Sequence, residues 1–417
     1  MITLLDGFRI VDATSNFIGH VVVENGVIID VIGLDESLED KKPLFSKYLM
    51  SATQIIRGRG DLYLMPGFID MHAHFRYPGF SEKETLESAS LAAARGGWTT
   101  VVCMANTNPV IDTIELAADI KCRSDALRLI DLYPVLSLTK GMMGKELSEI
   151  ALLKNQKAGY MPLLLSEDGK DIADDEVFLS ALRCAAELDI PVSCHCDLQN
   201  EAAAIQRAIN LGLKAGCPLH IAHVSTKESV DIIEKTKWEH REFALTAEVT
   251  PHHLLLTNDD ALRLGENTFG KVAPPLSSKK DRSALLDALD DDTIDVIATD
   301  HAPHTQADKE GGAPGFSGLE TAFPVLWDTL IDNDEFTEQS LSHYLSAAPA
   351  RILGLDDRGL IRKGMRADIV VLDPEKKTTI KFADFYSRGK NSPFLERDYN
   401  GKILFTMANG RIVENGW

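Results

Sequence analysis

Eight short apolar runs, separated by segments of a different pattern, constrain this chain more than any other feature of its sequence. They read LMPGFIDMHAH, WTTVVCMAN, LIDLYPVLS, MPLLLSEDG, IPVSCHCD, LHIAHVST, FALTAEVTPHH and IDVIATDHAPH. Short, near-continuous apolar runs suit strands buried on both faces. Between several of them lie stretches such as SEKETLESASLAAARGG and EVFLSALRCAAELD, where leucine and alanine recur at helical spacing and acids cluster early. Alternating strands and helices predict an α/β protein, a (β/α)₈ TIM barrel over residues 63–357. A doubly wound open sheet is the alternative, but no GxGxxG follows the first run.

The two ends of the chain read differently. HVVVENGVIIDVIG and ILFTMANGRIVENG place Asn-Gly pairs between valine- and isoleucine-rich segments, a hairpin signal. Residues 1–62 and 358–417 are therefore expected to form one small composite β-sandwich domain built from both termini. A length of 417 residues accommodates one large and one small domain.

A formal net charge of −20 argues against nucleic acid or an anionic membrane surface as partner, because both demand positive patches. The start, MITLLDGFRIVD, lacks the form of a secretory signal, and no apolar run reaches the length of a membrane span. A soluble cytoplasmic protein is expected. The six cysteines lack CxxC spacing and read as small buried hydrophobes; Cys194 and Cys196 flank His195 and should point away from it along a strand.

Polar residues of one kind gather where the apolar runs end. The first ends in His72-Ala73-His74, the fourth in Asp168, the fifth in His195, the sixth in His223 and the eighth in Asp300. The C-terminal ends of barrel strands form the face on which active sites are built. Alternate residues of a strand share a side, so His72 and His74 can reach one ion together. Singly, His195 and His223 read as core histidines bonded to a carbonyl, and Asp300 as a cap for the segment after it. Together, four histidines and two carboxylates exceed the needs of one tetrahedral zinc. Two ions sharing a bridging ligand and a bridging water account for them better, and the expected chemistry is hydrolysis, or its reverse, at an amide-like carbon. Asp168 would then have the compensation that a carboxylate at the tip of an apolar strand requires. Its neighbour Glu167 is expected to point to the other side, toward solvent or a helix.

The motifs PGFIDMHAHFRYPG, AARGGWTTVVCMANTNPV, SEDG, AHVSTKES, TAEVTPHH, IATDHAPH and GFSGLETAFP resemble the dihydroorotases of the amidohydrolase superfamily, and among them the long bacterial type. The likeness runs from about residue 50 to the C-terminus. It implies reversible cyclisation of N-carbamoyl-L-aspartate to L-dihydroorotate in de novo pyrimidine synthesis, by a metal-activated bridging hydroxide. Position by position, it implies one zinc on His72, His74 and Asp300, a second on His195 and His223, and Asp168 bridging them. Asp300 would also be the catalytic base. Arg76, Asn106 and His304 match the family's binders of the substrate carboxylate. The glycine-rich stretch of residues 304–318 could fold over the pocket, and His252 and His253 are not ligands in this family. Besides the small-molecule substrate, the resemblance raises a homodimer and a complex with aspartate transcarbamoylase.

The chain departs from the family pattern at Tyr77 in RYPG, at Ala105 in MANT, and at Ala273 and Ser277 in APPLS. The nearest alternatives are a hydantoinase, dihydropyrimidinase or allantoinase, which bridge their metals with a carboxylated lysine, and a non-catalytic scaffold for aspartate transcarbamoylase. Only Lys170 could be that lysine, and it lies beyond the glycine that follows Asp168.

Overall fold

Each of the eight apolar runs forms a strand in the computed structural model, which describes residues 1–34, 38–154, 159–196, 200–333 and 335–415. They are β1 (Phe68–Ala73), β2 (Trp98–Cys103), β3 (Asp131–Pro134), β4 (Leu165–Ser166), β5 (Val192–Cys194), β6 (Leu219–Ile221), β7 (Leu245–Val249) and β8 (Val296–Ile297). Parallel ladders join β1 to β2 to β3, and β4 through to β8, in chain order. Single parallel bridges complete the ring: Leu136 against Leu165 after β3, and Ala73 against His301 after β8. The closed order is that of a (β/α)₈ barrel.

The strands are buried on both faces because helices cover the outside. Leu86–Arg95 turns Leu86, Ala89, Ala92 and Ala93 inward, and the Thr85 side chain caps its first turn by accepting from Ser88 N. Asp175–Leu188 is capped by Asp174 and buries Phe178, Leu179, Ala181 and Leu182. Among the described residues no helix is long and apolar enough to cross a membrane.

Both ends of the chain enter one eight-stranded sheet. Its order is Arg411–Asn415, Arg397–Ala408, Ile369–Ile380, Tyr63–Pro66, Ile2–Asp12, Ser15–Glu24 and Val27–Gly33, with Gln54–Arg57 also on Ile2–Asp12. Two of its hairpins turn on Asn25-Gly26 and Asn409-Gly410, where all four residues have positive φ, as a type I′ turn requires. The Asn415-Gly416 pair ends outside the described residues. The sheet curls until the two tight turns meet. Ala367 N donates to Gly26 O at 2.8 Å and Gly410 N to Ala367 O at 2.9 Å. The resulting sandwich encloses Leu5, Phe8, Val21, Ile28, Ile369, Phe405 and Met407.

Candidate metal centre

The strand ends bring all six expected donors to one place. His72 lies on β1 and His74 one residue past it, with ring centroids 5.4 Å apart. His72 Nε2 is 3.1 Å from His195 Nε2, which follows β5 directly, and 3.5 Å from Asp300 Oδ1, beyond β8. Asp300 Oδ1 is also 3.1 Å from His74 Nε2. Two overlapping groups emerge, His72 with His195 and His223, and His72 with His74 and Asp300, each with donor atoms within 4.8 Å of one another. Asp168 lies between them: Oδ2 is 3.2 Å from His74 Nδ1 and Oδ1 is 3.3 Å from His195 Nε2. His223 and Asp300 both adopt positive φ, 35° and 44°, an unusual conformation for residues with a side chain. Such local strain persists only where surrounding structure enforces it, and it clusters at functional sites.

A further carboxylate stands behind the donors. Glu248, on β7, places Oε1 2.6 Å from His72 Nδ1 and Oε2 3.0 Å from His220 Nε2. It orients His72 so that Nε2 faces the centre. The Asp70 carboxylate accepts from His72 N at 3.1 Å and from Thr299 N at 3.0 Å, tying β1 to the end of β8. Neither residue stands out in the sequence reading; the signal that could have found them is an acid inside an apolar run, as in FID and TAEV, the same argument that singled out Asp168.

The electrostatics suit cation binding. Burial pushes the imidazoles of His195 and His223 down to about 4 and about 3, which keeps them neutral and able to donate a lone pair. Burial also opposes charge on His72, but Glu248 and Asp300 outweigh it and hold that ring up at about 10. Burial would raise the Asp168 and Asp300 carboxyls, yet the surrounding histidines hold both below the ordinary range. His223 Nδ1 is buried with no hydrogen-bond partner among the described residues. An orphaned nitrogen on the neutral His223 ring, beside neutral His195 and two ionised carboxylates, fits a divalent metal site.

A cavity of about 190 Å³ opens beside these donors, lined by His74, Arg76, Asn106, Asp168, Asp300 and His304 together with Ala273 and Gly315. All three expected substrate binders thus face it. Arg76, at φ 54°, donates through Nε to Pro303 O at 3.3 Å, and its Nη2 is 3.2 Å from His304 Nε2. Burial, then the Arg76 charge, push His304 down to about 3. The Asn106 amide is already engaged, with Oδ1 3.0 Å from His74 Nδ1 and Nδ2 donating to Asp168 at 2.8 Å.

One expectation needs correction. Glu167 does not meet solvent: it is buried and accepts from Thr139 N at 3.0 Å and from the hydroxyl of Thr139, which stands at the start of the short helix Lys140–Met142. The segment after β3 fills the side on which solvent or a helix was expected. Lys170 is exposed and does not line the cavity. His253 bonds to Thr250 and to Pro274 O, and His252 packs edge-on to Phe316; neither joins the donor groups.

A closed barrel with histidines and carboxylates at its strand ends defines a class, and residues 63–413 match the amidohydrolase family, to which this chain belongs. Within that family it belongs with the dihydroorotases. It is 38% identical to the dihydroorotase of Caldanaerobacter subterraneus subsp. tengcongensis, over 94% of this chain and 97% of that protein. It is 37% identical to the dihydroorotase of Clostridium acetobutylicum, over 94% and 99%. Among solved structures, the L-hydantoinase of Arthrobacter aurescens superposes with a TM-score of 0.86, covering 99% of this chain and 96% of that one. At 24% identity that likeness is one of fold.

Proposed function

We propose that this protein interconverts N-carbamoyl-L-aspartate and L-dihydroorotate as a step of de novo pyrimidine synthesis. The observation that carries this reading is that one cavity is lined by Asp168 and Asp300 together with Arg76 and His304. The first pair sits where an amide carbon would react, the second where the carboxylate retained by the ring would bind.

Two zinc ions would be held by His72, His74 and Asp300 and by His195 and His223, with Asp168 between them. Bound there, they would polarise the ring carbonyl and activate a water. Asp300, kept ionised by its histidine neighbours, takes the proton from the attacking water and returns it to the departing ring nitrogen. Ring closure runs these transfers backwards. Arg76 donates to the substrate carboxylate and His304 and Asn106 complete the grip. Glu248 keeps His72 oriented throughout.

Asp168 rather than a lysine beside the donors, with Lys170 exposed, favours this reading over the hydantoinase type. Retention of all six donors argues against a purely scaffolding role. We take the protein to be cytoplasmic and homodimeric, with aspartate transcarbamoylase as a candidate partner; its charge of −20 supports a soluble protein without nucleic acid or membrane partners. The test is the purified, zinc-supplemented protein assayed against dihydroorotate, hydantoin, dihydrouracil and allantoin. Turnover of dihydroorotate in preference to the other rings is expected; turnover of another ring without dihydroorotate overturns the assignment.

A further inference from the structure

We infer that Asn391 is a positioning residue through which the terminal sheet sets the affinity for substrate. The segment of residues 381–396, which connects strands Ile369–Ile380 and Arg397–Ala408, leaves the sheet and runs to the mouth of the barrel. Its base is anchored on two buried carboxylates. Tyr386 N and Ser387 N donate to Glu320 at 3.0 and 3.1 Å, and Arg388 N and the Ser387 hydroxyl donate to Glu84.

At its tip, the buried Asn391 side chain clamps both arms of the loop that carries His304. Oδ1 accepts from His304 N at 2.8 Å and lies 3.0 Å from Ser317 Oγ, whose one proton is shared with Gly389 O at 2.6 Å. Nδ2 donates to Ala302 O at 3.1 Å and to Gly315 O at 2.9 Å. Ser317 N returns a bond to Asn391 O at 3.0 Å. The carboxamide uses both its functions, the oxygen accepting and the nitrogen donating twice, and only asparagine offers both at this size. The segment is also pressed against the loop: a Cβ on Gly389 would stand 2.4 Å from His304 N.

Asn391 bonds to none of the six metal donors and does not itself line the cavity. It fixes the backbone of His304 and Gly315, which do line the cavity. Its influence is therefore on how tightly the substrate carboxylate is held, while the donors of the metal centre stay in place. This rests on the reading of His304 as a substrate contact.

The test compares Asn391→Leu, His304→Ala and the double variant for KM and kcat with dihydroorotate, with metal content and Tm measured alongside. Asn391→Leu should raise KM about tenfold or more, leave kcat within about threefold and leave metal content unchanged. The double variant should have a KM no higher than His304→Ala alone, because the two act through one contact. Ser317→Ala, which removes the hydroxyl shared between Asn391 Oδ1 and Gly389 O, should shift KM in the same direction by less and serves if Asn391→Leu does not fold. If His304→Ala raises KM and Asn391→Leu or Ser317→Ala does not, the positioning role fails while the substrate contact stands. If His304→Ala leaves KM unchanged, both fail. Additive effects, or a fall in kcat with lost metal, would show Asn391 to be structural only and overturn the inference.

Discussion

His72 and Glu248 are joined at 2.6 Å across the barrel, from β1 to β7, and both are almost completely buried. The carboxylate fixes which ring nitrogen of His72 faces the other donors, and the second oxygen is itself held by His220.

Glu248→Gln removes that charge while keeping the shape. Metal affinity should fall by roughly ten- to a hundredfold, as is usual when a partner of a metal-ligating histidine is lost. Competition with a chelator measures it, and an unchanged affinity would show that Glu248 serves only to satisfy His220.

Asp168→Ala and Glu167→Ala should separate cleanly despite adjacency. The first should abolish turnover with little loss of stability. The second leaves the Thr139 N–H and hydroxyl without their acceptor, which costs about 1–3 kcal/mol. It should lower the denaturation midpoint while kcat per folded molecule stays near the parent value. Loss of turnover in both would contradict the assignment of Asp168.

Glu320 supplies a pH signature. Burial pushes its carboxyl from 4.5 up to about 7, despite the N–H groups of Tyr386 and Ser387. The folded state therefore holds a proton that the unfolded state releases, and stability falls as pH rises from about 4.5 to 7. Glu320→Gln, which keeps an acceptor and cannot ionise, should lack this term. Relative to that variant the parent should lose up to roughly 3 kcal/mol across the window and stay level above it. Urea unfolding at a series of pH values would show the divergence, and parallel curves would refute it.

Lys309 is fully buried and pairs with no carboxylate among the described residues; Nζ donates to Lys271 O, Ala313 O and Gly315 O at 2.9, 2.9 and 3.0 Å. Lys309→Met keeps the aliphatic stem and strands three carbonyls. Proteolytic cleavage within residues 306–316 should accelerate several-fold, and KM for dihydroorotate should rise, since Gly315 lines the cavity. Unchanged cleavage would mean that the loop is held by other contacts.

The barrel was legible because its information is local. Each of the eight runs is apolar enough to be buried on both faces and short enough to be a strand, and the Asn-Gly pairs at residues 25–26 and 409–410 dictate tight hairpins through backbone conformation alone. The histidines and aspartates at the run ends were legible for the same reason: a polar residue closing an apolar strand needs compensation wherever the strand lies. Tertiary structure decided the rest. Glu248 reaches His72 across 176 positions and Asn391 reaches His304 across 87, and no periodicity connects either pair. Glu167 fell to the same limit, since the direction of a side chain can be read from strand alternation, but what fills the space on that side cannot. The chain's local patterns determined the strands, the hairpins and the kinds of residue at the site; closure of the barrel and curling of the terminal sheet alone decided which atoms meet, because those contacts exist only once distant segments share one core.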